Sequence, residues 1–340
     1  MSAPARSETE HRCAPWTRAQ GADPIGSALT CDTLVLIETP PPWPRDVGEL
    51  PAFAELLQRG YRRTRLLAVR PAEGRAAGSV GVTLWRRSAD GGMAGTDHLL
   101  PAGRLAEAVA GLVEHPERAA AEGAPAPPEV LICGHGARDA CCGRLGTRLA
   151  LDAGAETGAV GGATVSAGAA VAAGAVETGA AAGTGGCGSV GSAVRVRRCS
   201  HTGGHRFAPT GLTLPDGRAW GFLDEETLDA IVHRRGAPPL RGHYRGSLEL
   251  DMWAQVAERA LFERHGWGWL EHRLTSVRTE PAADGRSAVV ALRWQGPSGE
   301  GAAVATVGIA RDLPVLVCGS PPEEARKTSP ELVLRSFDHA

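Results

Sequence analysis

Two short apolar runs each open the same succession of elements, and that doubling limits the folds open to the chain. Asp32–Thr39 (DTLVLIET) and Glu129–Cys133 (EVLIC) read as buried strands. The first is ended by Pro40, Pro41, Pro42 and Pro44. A helix over Leu50–Arg59 follows, then strands at Arg63–Arg70 and Ser79–Arg87. A turn at Asp90–Gly92 leads to a return arm at Asp97–Leu100, and Leu105, Val109, Leu112 and Val113 give Arg104–Glu114 helical spacing. Residues 117–128, rich in Ala, Pro and Glu, read as a linker. The second stretch repeats the order. Asp139 caps a helix from about Ala140 to Leu151. A strand at Ala193–Cys199 precedes a hairpin, Leu212–Leu214 and Ala219–Leu223 around Pro215-Asp216-Gly217, and a helix follows at Asp224–Arg234. Each first strand is also followed by an Arg-Asp pair, Arg45-Asp46 and Arg138-Asp139.

Strand, helix, strand, strand, strand, helix, written twice, reads as a degenerate structural repeat and suits a thioredoxin-like α/β layer fold. The expected class is α/β: a thioredoxin-like domain preceded by a related α/β domain, with a small α+β C-terminal region. The 340 residues allow roughly two domains at about 150 each. The divisions expected are an irregular lead-in over 1–30, an N-terminal α/β domain over 31–128, a second over 129–240, and a C-terminal region over 241–340. In the last, Leu248–His265 reads as an amphipathic helix. Arg273–Glu280, Ser287–Trp294, Ala302–Ala310 and Pro314–Cys318 read as an antiparallel meander, with a loose tail from Pro321. Residues 155–192 are almost wholly Ala, Gly, Thr, Ser and Val, with Gly too frequent for a stable helix, and read as a disordered low-complexity insertion.

Charge and targeting features exclude several classes. A net charge of −2 leaves no basic footprint for nucleic acid. Met1–Arg12 is polar, unlike a secretory signal, and 157–176 is too weakly apolar for a membrane span. A cytoplasmic protein with neither nucleic-acid nor membrane partners is expected. In that reducing setting, eight cysteines read as metal-binding or redox-active rather than as a disulfide framework, and five of them fall between 133 and 199.

Two segments concentrate this chemistry. Cys133-Gly-His-Gly-Ala-Arg-Asp-Ala-Cys141-Cys142 and Ser200-His201-Thr-Gly-Gly-His205-Arg-Phe-Ala each follow a strand and leave a sheet edge as a loop. Cys133, Cys142, His201 and His205 form a four-ligand set open to zinc or an iron–sulfur cluster. The Gly134/Gly136 and Gly203/Gly204 pairs allow close backbone approach. Adjacent side chains point apart, so Cys141 and Cys142 do not serve one metal, and Cys141 reads as core. Cys199 is a further thiol two residues before His201. Asp139 reads as a cap rather than a catalyst, and His135 as incidental rather than a proton relay. Arg138 and Arg206 supply charge near the site or form surface salt bridges. Gly183–Gly188 fits GxGxxG by chance: it follows no strand and opens no helix. Trp253, Trp267 and Trp269 read as core.

The strings CGHGARDACCGRLG and SHTGGHRFAPTGLTLPDGRAWG resemble the sucrase/ferredoxin-like family. The resemblance extends from Cys13–Pro24 through the Pro-Trp-Pro-Arg-Asp turn, over about residues 11–235. It implies a thioredoxin-like ferredoxin domain whose Cys-x8-Cys and His-x3-His pattern holds a [2Fe-2S] cluster; the matching positions are Cys133, Cys142, His201 and His205. The chain departs from the family in carrying the Ala/Gly tract between the two motifs. Two thiolates and two neutral imidazoles around a +2 core make a neutral site, against −2 for four thiolates. Such a site accepts an electron more easily than an all-cysteine one. The expectation is an electron carrier rather than a catalyst, working between a redox donor and a redox acceptor protein, with proton-coupled one-electron transfer at an imidazole. Two alternatives stand: a zinc protein with the same two cysteines and two histidines and no redox role, and a thiol-redox enzyme using Cys141, Cys142 or Cys199. No pair of carboxylates spaced for sugar hydrolysis is identified.

Overall fold

The computed structural model describes residues 12–155, 163–165, 194–297 and 299–339. The expected insertion at 155–192, with Cys187 and the Gly183–Gly188 pattern, lies outside these residues except for Ala155 and 163–165.

A short helix, α1 (Cys13–Ala19), precedes the first half. There β1 (Thr33–Glu38) is buried along nearly its whole length, as its unbroken apolar run requires. Helix α2 (Pro51–Gln58) starts with Pro at its first turn and buries Phe53 and Leu56. Strands β2 (Thr64–Val69), β3 (Ser79–Arg87) and β4 (Met93–Pro101) follow, then α3 (Leu105–Glu114). The expected linker instead contains α4 (Pro116–Glu122) and a two-residue strand, β5 (Ala124–Pro125). Pro116 is pre-set for a first helical turn, three successive alanines favour helix, and Ala119 is buried. Composition alone hid that packing contact.

The second half comprises β6 (Glu129–Cys133), α5 (Thr147–Asp152), β7 (Ala163–Val165), β8 (Val194–Cys199), β9 (Gly211–Leu214), β10 (Arg218–Trp220), α6 (Glu225–Val232) and β11 (Tyr244–Ser247). Its hydrogen-bonded order β8-β6-β9-β10 mirrors β2-β1-β3-β4 of the first half. β1 pairs in parallel with β2, and β6 with β8; β3 then β4 add antiparallel on the other side of β1, as β9 then β10 do on β6, while the short β7 lies antiparallel on β8. The repeat legible in element order is therefore present in strand pairing, within one continuous α/β sheet.

The halves meet where β2 and β8 pair at Val69 and Cys199. A buried charge network reinforces this seam. Glu129 on β6 accepts from Trp85 Nε1 on β3 at 2.5 Å and pairs with Arg197 at 2.6 Å and Arg195 at 3.2 Å. Arg195 continues to Asp97 on β4 at 2.7 Å. Glu129, Arg195, Arg197 and Asp97 each have an opposite partner, which offsets the desolvation that burial imposes.

Helix α7 (Met252–His265) is capped by Asp251, which accepts from the N–H groups of Trp253 and Ala254. It packs on a four-stranded antiparallel sheet ordered β12 (Arg273–Pro281), β13 (Ser287–Gly296), β14 (Gly299–Pro314), β15 (Thr328–His339). Ala288, Val290, Leu292 and Trp294 alternate inward along β13, the period of a half-buried strand. The fourth strand is not Pro314–Cys318 but the tail expected to be loose. Leu332 is buried, and Leu334 and Phe337 pack on the same core, so pairing and burial together order the tail. Residues 315–320 form a loop that carries Cys318 back to the second half. Among the described residues, no helix is long and apolar enough to cross a membrane.

Candidate metal centre

Parallel pairing of β6 and β8 opens the loops that follow them at the same sheet edge. Cys133 ends β6, while the chain leaves β8 through Ser200 to His201. Two backbone bonds fix the first loop's origin: Cys133 N–H to Thr210 O at 2.9 Å and Gly134 N–H to Cys199 O at 3.0 Å. A π-helical turn at Cys142–Gly146 then packs onto the strand end. A Cβ at Gly146 would lie 1.8 Å from Cys133 O, so only glycine lets the turn approach that closely.

This packing brings donors together. His201 Nδ1 lies 3.8 Å from Cys133 Sγ and 4.0 Å from Cys142 Sγ. The three donor atoms all fall within 4.8 Å of one another. Both thiols are fully buried. His205 stands beside this group, its ring centroid 6.1 Å from that of His201. It follows Gly204, whose left-handed φ of +67° is glycine conformation; a Cβ there would meet the Arg245 guanidinium at 2.6 Å. His205 Nδ1 is buried and makes no hydrogen bond, since Asp139 Oδ2 at 3.3 Å is poorly angled for one. Three of the four residues read from sequence thus converge, and the fourth is adjacent with an unsatisfied nitrogen. Two thiols and two imidazoles so disposed fit the donor chemistry of a metal group.

The electrostatics favour a thiolate here. The hydrogen bond from Cys142 holds Cys133 well below the usual thiol range; burial opposes this, and His201 adds to it. The same hydrogen bond, with burial, pushes Cys142 up. Two guanidinium groups from outside the motifs brace the histidine segment. Arg65 donates to His201 O at 2.9 Å and Arg245 to Gly203 O at 3.2 Å. Burial lowers Arg245 to about 10. Neither was singled out from sequence, because nothing local ties positions 65 or 245 to position 201.

The remaining residues find defined places. Arg138 is exposed, whereas Arg206 is largely buried, 4.3 Å from the Phe207 ring centroid and 2.8 Å from Ser329 Oγ. His135 is not partnerless: its Nε2 lies 2.8 Å from Pro44 O, and Trp43 packs edge-on at 5.8 Å. Asp139 Oδ1 accepts the Cys141 N–H at 2.9 Å, as a cap does. Cys199 is the register partner of Cys133 but lies in a cluster with Leu67, Val69, Leu131 and Leu212, and burial raises its thiol far above the usual range. Cys141 is buried, facing Cys13 and Cys318 rather than His201.

Fold and site together define an α/β protein with two buried thiols beside a half-buried imidazole at the C-terminal ends of two parallel strands. Within that class, the chain belongs to the sucrase/ferredoxin-like family, which matches it over residues 24–246. That span includes both motifs and ends near β11. No curated protein and no solved structure matches the chain.

Proposed function

We propose that the protein is a ferredoxin-type electron carrier whose [2Fe-2S] cluster is held by Cys133, Cys142, His201 and His205. The observation carrying this reading is the convergence of Cys133, Cys142 and His201 from two distant loops, with the unsatisfied Nδ1 of His205 alongside. Bound there, the cluster would supply one-electron transfer. Cys133 and Cys142 sit on the dry side and exclude water; the His205 side chain retains 19% exposure, so the histidines form the edge nearer solvent. With His201 Nδ1 turned to the sulfurs, its Nε2 is the atom that can hold a proton. The buried Arg245 guanidinium adds fixed positive charge beside the histidine segment, which favours the more negative state of the site. Partners under this reading are two redox proteins, one donor and one acceptor.

One observation favours a second reading. Three donor atoms within 4.8 Å suit a single ion, so mononuclear zinc on the same residues is the alternative. Anaerobic purification with iron, sulfide and zinc analysis and visible and paramagnetic-resonance spectra separates the two. Iron and acid-labile sulfide in equal amounts, with visible absorption, support the carrier. Colourless protein holding only zinc overturns it.

A further inference from the structure

The π-turn that delivers Cys142 to one group delivers its neighbour to another. Cys141 Sγ lies 3.2 Å from Cys318 Sγ, which lies 3.6 Å from Cys13 Sγ. Asp139 Oδ1 is 3.3 Å from the sulfurs of both Cys13 and Cys318. The four donor atoms all fall within 4.8 Å of one another. They come from three remote parts of the chain: α1, the loop after β6, and the loop between β14 and β15. Cys13, Asp139 and Cys141 are buried, and Cys318 is half-buried.

We propose that Cys13, Asp139, Cys141 and Cys318 form a second, separate metal site that binds one zinc ion. The chemistry of the group asks for a cation. Three thiols and a carboxylate packed against one another, buried except at the half-buried Cys318, present only soft or anionic donors. A buried carboxylate beside a thiolate is costly unless a positive charge lies between them. Zinc takes tetrahedral thiolate and carboxylate ligands at about 2.3 Å and about 2.0–2.2 Å, which sets neighbouring donors about 3.6–3.8 Å apart. The separations of 3.2, 3.3 and 3.6 Å here reach that spacing with shifts of a few tenths of an ångström. The carboxylate is also oriented: Cys141 N–H donates to Oδ1 at 2.9 Å and Cys318 N–H to Oδ2 at 3.3 Å. Zinc here ties the N-terminal helix and the β14–β15 loop to the loop after β6, and so is structural.

The test is zinc content by mass spectrometry of the full chain purified without added metal, beside Cys318→Ser and Cys133→Ser variants. The expected result is one zinc fewer per chain and a lower melting temperature in Cys318→Ser, with iron and visible absorption unchanged. Cys133→Ser should retain this zinc, so the outcome does not depend on what the Cys133 site holds. Zinc absent from the wild-type chain, zinc unchanged in Cys318→Ser, or a Cys141–Cys318 disulfide in the intact mass each overturns the proposal. Should Cys318→Ser not accumulate as folded protein, titrating wild-type thiols with a mercurial in the presence of a zinc dye gives the answer. Release of this zinc as Cys13, Cys141 and Cys318 are modified supports the site; no release overturns it.

Discussion

Cys141 and Cys142 are consecutive in the chain yet face different sulfur groups: Cys142 Sγ lies 4.0 Å from His201 Nδ1, and Cys141 Sγ lies 3.2 Å from Cys318 Sγ. Successive residues on a helix point in different directions, so one turn of backbone can serve two centres. Asp139 lies between them, one oxygen 3.3 Å from His205 Nδ1 and the other 3.3 Å from Cys318 Sγ. The pair should therefore separate by mutation. Cys142→Ser is expected to abolish or destabilise the visible chromophore, as is Cys133→Ser, whereas Cys141→Ser should leave it in place. Absorption spectra of the three variants, normalised to protein, check this; equal bleaching by Cys141→Ser would contradict it.

Replacing His201 or His205 by Cys should keep the cluster but add a negative charge to the site. The midpoint potential is then expected to fall on the order of 100 mV per replacement, the scale separating histidine-containing from all-cysteine centres. In the wild-type protein, one proton taken up with each electron makes the midpoint fall by about 59 mV per pH unit where the imidazole titrates. Redox titration from about pH 6 to 9 measures both. A flat midpoint removes the proton from the mechanism.

Local signals made much of this legible. Strand runs, the Asp139 cap and the hairpin turn lie close to the observed elements, because each is set by residues a few positions apart. Cys133, Cys142 and His201 could be expected to meet because strand-loop order places both motifs at one sheet edge. Contacts across the chain were not. Cys13 and Cys318 meet Cys141 over 128 and 177 positions, and no periodicity marks such a pairing. Arg245 and Arg65 escaped notice for the same reason. The tail from Pro321 read as loose because polar residues interrupt its apolar ones; Leu332, Leu334 and Phe337 become a strand face only once α7 offers a surface to cover.

The seam between the halves should fail electrostatically. Glu129→Ala leaves Arg195 and Arg197 buried without their shared carboxylate. Removing one partner from such a group costs about 3–5 kcal/mol, measurable by chemical denaturation; a loss under about 1 kcal/mol would show the network is idle.

Asp97 adds a pH dependence. Burial works to raise its pKa, but the hydrogen bond and charge from Arg195 outweigh this and hold it below its ordinary 3.8. A carboxyl lowered on folding stabilises above its unfolded pKa and loses that contribution as pH falls through the folded one. The stability gap between wild type and Asp97→Asn should therefore be full near neutrality and shrink below about pH 4. Urea midpoints across that range read it, and a gap that widens in acid would reverse the sign.

Gly146→Ala tests whether backbone approach builds the site. The added Cβ would fall 1.8 Å from Cys133 O and 3.0 Å from Cys133 C, inside any tolerable contact. The strand end cannot yield easily, since Cys133 N–H is bonded to Thr210 O at 2.9 Å within the sheet. The π-turn must move instead, carrying Cys142 away from Cys133. Overpacking of this kind costs about 1–3 kcal/mol or more, and the displaced thiol should release the metal as well. Gly111→Ala is the matched control: it lies within α3, its nearest contact is the Arg118 guanidinium at 3.6 Å, and alanine there should stabilise by about 0.5–1 kcal/mol. Melting temperature and visible absorption of the two variants distinguish a general glycine effect from this one. A Gly146→Ala chain that melts with wild type and keeps its chromophore would mean that the approach of turn to strand does not set the distance between the two thiols.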